Sequence, residues 1–136
     1  MTAKACAVAK AERLPRGPVG FVLVGMAAAA VHYGVALTLH GRLGLAPAWA
    51  NPLAFGAAFP ISYVGHRRWS FPGDLRPHAQ ALPRFMAVAM SGFLGNQALL
   101  LMLLRLGAWP FWLAMGVTLV SVALGTYLLS RHWAFG

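Results

Sequence analysis

"GPVGFVLVGMAAAAVHYGVALTLHG", residues 17–41, contains no Asp, Glu, Lys or Arg, and Arg16 and Arg42 bracket it. Three more charge-free runs follow, at 43–66, 85–104 and 106–130. A helix needs about 20 mostly apolar residues to cross a hydrocarbon core roughly 30 Å thick, and each run is that long. The spacing predicts four transmembrane helices near 19–40, 47–65, 84–104 and 109–130. Composition agrees: 60% of the 136 residues are hydrophobic and 10% are charged, against about a quarter charged in a soluble domain. A soluble bundle of four such helices would have almost no polar face to offer water. The expectation is an all-α, multi-pass membrane protein.

Working outward, the segment before the first run, "MTAKACAVAKAERLPRGP" (1–18), is too polar and charged for a cleavable secretory signal. It reads as a basic cytoplasmic tail ahead of a transmembrane domain at 19–136. Cys6, the single cysteine, lies in that tail, so neither an intrachain disulfide nor a multi-cysteine metal site is expected. The net charge of +9 is better explained by the membrane than by nucleic acid, which is not expected as a partner. Lys4, Lys10, Arg13 and Arg16 precede the first helix, Arg67, Arg68, Arg76 and Arg84 lie between the second and third, and Arg131 follows the fourth. Arg42 and Arg105 alone fall on the other side. Because cytoplasmic loops carry the excess of Lys and Arg, both termini are expected in the cytoplasm, in the cytoplasmic (inner) membrane.

The chain also repeats itself. "HRRWSF" (66–71) and "SRHWAF" (130–135) stand 64 residues apart, so that Arg67, Trp69 and Phe71 answer to Arg131, Trp133 and Phe135. Tyr63 meets Tyr127 at the same separation, and Phe21 meets Phe85. At 63 residues, "RLG" (42–44) meets "RLG" (105–107), and Pro47 and Trp49 meet Pro110 and Trp112. The halves, 19–71 and 83–135, are read as two helical hairpins of equal orientation, a parallel repeat about an axis along the membrane normal. Four helices make a thin bundle, and a homodimer is the natural way to extend its interface. Pro52 and Pro60 should kink the second helix and free backbone carbonyls.

The repeated motif has two readings. Trp and Phe settle at headgroup level and Arg favours the cytoplasmic side, which makes it a membrane anchor. Alternatively it clamps a lipid headgroup, because the planar Arg fork matches phosphate oxygens bidentately. Arg67, Arg68, Trp69 and Phe71 would then form one clamp, and Arg131, Trp133 and Phe135 the other. Two copies in one register favour the clamp.

At this point the chain resembles the GtrA-like family, whose members have four transmembrane helices and an Asn-Arg-x-Trp-x-Phe pattern after helices 2 and 4. The resemblance covers about 19–135. His66 and Ser130 stand where the pattern has Asn, Arg84 and Phe85 match the Arg-Phe that opens family helices, and Gly20 precedes Phe21 in the first half. The resemblance implies work in cell-surface polysaccharide synthesis, with a polyprenyl-phosphate-linked sugar and membrane lipid as partners. Two roles follow: a translocase (flippase) carrying that lipid between leaflets, or an accessory anchor that recruits a glycosyltransferase.

Polar side chains within the runs are the remaining candidates, since they are costly at that depth without a partner or a cavity. His32 and Asn96 are 64 apart, and Tyr33 and Gln97 follow them. One reading makes His32, Asn96, Gln97, Tyr63 and Tyr127 the lining of a polar groove. The other bonds His32 to Asn96 across the bundle. Absences bound the rest. No run contains the carboxylate that proton antiporters use, there is no Walker loop, and the five His are scattered. No enzyme, cofactor or metal site is expected.

Overall fold

A computed structural model describes residues 17–71 and 75–135, with side chains up to Gly125 in the last helix. The tail at 1–16 lies outside the described residues, as do the side chains of Tyr127, Arg131, Trp133 and Phe135. The described residues form four α-helices and no strand: α1 (Pro18–Gly41), α2 (Pro47–Gly65), α3 (His78–Leu106) and α4 (Phe111–Phe135).

Proline sets each start. Pro18 and Pro47 occupy the first turns of α1 and α2, where a missing N–H costs nothing. Pro77 and Pro110 sit just before α3 and α4 and supply carbonyls: Ala81 donates to the oxygen of Pro77, and Ala114 to that of Pro110, both at about 3 Å. α1 closes at Gly41 as Arg42 and Leu43 both donate to the oxygen of Thr38. The turn into α2 needs Gly44, whose φ of 66° suits a residue without Cβ. His40 Nδ1 then donates to the oxygen of Leu45 at 2.8 Å and fixes the corner.

Two helices differ from the expected bounds. α3 begins at His78, six residues before the predicted 84, because Arg84 is a cation within the first turns of the helix and not its boundary. Pro83 lies inside α3, past its first turn, and so leaves the carbonyl of Ala79 without its bond in the helical ladder. α4 continues past 130 through the second motif copy to Phe135.

α1 and α3 are long and apolar enough to cross a bilayer, at 24 and 29 residues with mean hydropathies of 1.8 and 1.7 over their most apolar windows. Only 17% and 11% of those windows are buried inside the molecule, so these are not core helices of a soluble protein. Their apolar surface faces outward, as a helix in lipid requires.

α1 packs chiefly on α2 and runs antiparallel to it. Gly17 N–H donates to the oxygen of Trp69 at one end, and Leu45 N–H to that of Leu39 at the other. The closest approach is at Gly65, where an added Cβ would lie 2.6 Å from Val24 Cγ1. Near the opposite end, Ala36, Ala50, Ala54, Leu100, Phe111, Ala114 and Met115 form a buried cluster in which small residues let all four helices meet.

Candidate functional site

At Gly65 the α-helical ladder of α2 gives way to one turn of π-helix, His66–Ser70. Phe71 N–H bonds back five residues to the oxygen of His66 at 2.9 Å. Such single wide turns are rare and often mark functional positions. Here the turn is the "HRRWS" motif itself. It winds Arg67 toward α3 and leaves Arg68 exposed. His66 is buried and spends Nδ1 on Ser70 Oγ at 2.8 Å, so the residue that replaces the pattern's Asn ties the turn to itself. Burial pushes the His66 imidazole below its usual value.

Arg67 opens onto a cavity of about 660 Å³ between the start of α1, the end of α2 and the start of α3. Phe21, Phe71, Phe85 and Val88 supply apolar wall. Arg76 and Arg84 join Arg67, which brings three arginines to one lining with no carboxylate among the described lining residues. Arg67 Nη2 donates to the oxygen of Arg76 at 2.6 Å. Its Nη1 is buried and has no hydrogen-bond partner among the described residues. A buried charged donor left unsatisfied is expensive and calls for an acceptor. Tyr63 lines the same cavity, with its hydroxyl 2.7 Å from His78 Nδ1. Trp69 is exposed and is not among the described lining residues.

The intramembrane polar residues meet elsewhere. His32 and Asn96 do not bond each other; Asn51, fully buried on α2, stands between them. His32 Nε2 donates to Asn51 Oδ1 at 2.7 Å. Asn51 Nδ2 donates to Asn96 Oδ1 at 2.8 Å and to Gln97 Oε1 at 2.7 Å. Gln97 Nε2 in turn donates to the oxygen of Ala48 at 3.3 Å. These bonds fix His32 with its proton on Nε2, given the amide orientation of Asn51. Tyr33 points away from the network and donates to the oxygen of Trp112 in α4 at 3.0 Å. Tyr63 is not part of this network.

Aromatic rings connect the two features along α2. Phe55 lies 6.4 Å from the His32 ring and 6.0 Å from Phe59, which is 6.4 Å from Tyr63. Phe85 closes the series at 5.5 Å from Tyr63 and 5.9 Å from His66. The path from network to cavity is therefore walled by apolar ring faces.

Asn51, Arg76 and Arg84 are the residues that sequence reasoning missed. Asn51 has Met115 at 64 residues' separation and Ala114 at 63, so the internal repeat cannot reveal it. Arg76 and Arg84 count only as topological charges until α3 is seen to begin at His78. No group of three or more His, Cys, Asp or Glu placed to hold a metal ion occurs among the described residues.

In comparisons with known proteins, a family model described as the GtrA/DPMS transmembrane domain matches residues 20–135. No curated protein and no solved structure matches the chain.

Proposed function

We propose, for a chain that belongs to the GtrA/DPMS transmembrane-domain family, a translocase that moves a polyprenyl-phosphate-linked sugar across the cytoplasmic membrane. Membership supports a membrane protein of polysaccharide or glycolipid synthesis that associates with lipids and lipid-linked sugars. The observation that carries the finer reading is the three-arginine cavity beside an apolar aromatic wall. A lipid phosphate has the same two-part chemistry: an anionic head that accepts charge-assisted hydrogen bonds, and a chain that needs apolar surface. Arg67 has an unsatisfied buried N–H waiting for such an acceptor. In this reading both motif copies face the cytoplasm, the two hairpins repeat in parallel, and Arg131 provides a second station. The protein performs no covalent chemistry, and the gradient of sugar-linked lipid between leaflets drives the movement.

A specific observation favours a second reading, an accessory subunit for a glycosyltransferase. The His32–Asn51–Asn96/Gln97 network is closed on itself, and an aromatic wall separates it from the cavity, so the described residues show no continuous polar path between leaflets. Leaflet exchange of a polyprenyl-phospho-sugar in reconstituted vesicles separates the two. A translocase accelerates exchange as wild type and loses it in Arg67→Ala and Arg131→Ala. Absence of acceleration by folded wild-type protein would refute the translocase and leave the accessory role.

A further inference from the structure

We infer that the cavity at the π-turn reads the phosphate and the chain of its lipid and not the sugar, and that Arg76 and Arg84 complete it with Arg67. Its ligand class is a phosphate monoester on an apolar chain, the species that a glycosyl transfer leaves behind once the sugar is removed. This inference rests on the cavity being a lipid-phosphate site and extends that reading to the bare carrier.

Charge is the first argument. Arg67, Arg76 and Arg84 gather at one space, and no described lining residue is acidic. A phosphate monoester carries between about −1.5 and −2 at neutral pH, whereas a diester to a sugar carries one negative charge. Fixed guanidinium charges in the lining therefore gain more from the monoester than from the diester. Planar guanidinium forks also suit several oxygens of one phosphate at once.

The neutral groups make the second argument. Sugar hydroxyls are recognised by several precisely placed polar groups aimed at them. Among the described lining residues, the neutral polar side chains are Tyr63 and His66. Tyr63 OH is held by His78, and His66 Nδ1 by Ser70. The His66 ring also packs on Phe21 at 4.6 Å and on Phe85 at 5.9 Å. Phe21, Phe71, Phe85 and Val88 complete the lining with hydrocarbon. A sugar placed here would find aromatic faces and cations, while a phosphate finds Arg67 Nη1 without a partner.

Position is the third. All three arginines come from the end of α2, the segment leading into α3, and the first turns of α3. Among the described residues, the cations of the cavity thus come from one continuous stretch of chain between the π-turn and the first turns of α3.

Binding of farnesyl phosphate, farnesol, inorganic phosphate and a farnesyl-phospho-glucose diester to the full-length protein in nanodiscs tests this at equilibrium, without transport. The monoester should bind at least as tightly as the diester, and at least about tenfold more tightly than farnesol or phosphate alone, since each lacks half the recognised chemistry. Arg84→Gln should weaken the monoester about tenfold or more, the worth of a charge-assisted hydrogen bond; Arg84→Lys should recover part of it. A diester preference of tenfold or more, or folded Arg84→Gln with wild-type affinity, would overturn the inference. Equal binding of inorganic phosphate alone would overturn it too, marking a free-phosphate site. Wild type that binds the monoester but fails to speed leaflet exchange removes only the translocase. Wild type that speeds exchange but does not bind the monoester removes only this inference.

Discussion

Replacing Asn51 by Leu keeps the branching and heavy-atom count of the side chain and removes all three hydrogen bonds at the centre of the bundle. His32 Nε2–H, Asn96 Oδ1 and Gln97 Oε1 then lose their partner in a region with little water to substitute. Interhelical hydrogen bonds in membranes average about 0.6 kcal/mol and reach about 1.7 kcal/mol, so three of them put the loss at roughly 2–5 kcal/mol. The upper half of that range applies because Asn51 is fully buried and relaxation toward water is blocked. Reversible unfolding in mixed micelles by a denaturing detergent measures the difference directly. A cycle of His32→Ala, Asn51→Ala and the double variant isolates the pair, with an expected coupling of about 1 kcal/mol. Asn51→Leu within about 0.5 kcal/mol of wild type would refute the network as a structural tie, because surface-like changes have that size. Leaflet exchange per folded molecule adds a second readout. A tie that only packs the helices leaves exchange intact, whereas a groove used by a polar head loses it.

Three further outcomes follow from the geometry. Gly65→Ala places a Cβ 2.6 Å from Val24 Cγ1 and should cost about 1–3 kcal/mol, with recovery in the Gly65→Ala/Val24→Ala double variant; unfolding curves compare the three. Burial lowers the folded-state pKa of His66 from 6.5, so its contribution to stability is fully present above that value and is lost as pH falls through the folded pKa. Melting temperature between pH 7.5 and 5 should therefore fall more in wild type than in His66→Gln. Thr118 is fully buried and its hydroxyl has no hydrogen-bond partner among the described residues, so Thr118→Val should stabilise by up to about 1 kcal/mol; a loss of that size in the same unfolding assay would reveal a missed partner.

Much of the helical layout was legible because charge and proline mark it. α2 was anticipated at 47–65 residue for residue, since Pro47 opens it and the chain can bend at Gly65. The start of α3 was hidden because Arg84 looked like a boundary, although a long cationic side chain can lie within a helix end and reach outward. Arg67 stood out in the sequence through its repeated motif, and in the fold it lines the cavity. Its two companion arginines did not, because their meeting depends on how the 71–77 segment returns to α3. Asn51 escaped for a different reason. Pairing by internal similarity finds positions shared by both halves, and the central bond acceptor and donor of the bundle belongs to one half alone.

The wide turn at 66–70 also has a consequence for symmetry. The second copy of the six-letter word continues as ordinary α-helix, whose backbone reaches Phe135 without a break. Each π-turn holds about one more residue than an α-turn, so a matching Arg-x-Trp-x-Phe spacing is wound differently in the two backbones. The halves are thus related in text but differ in backbone winding at the matching positions.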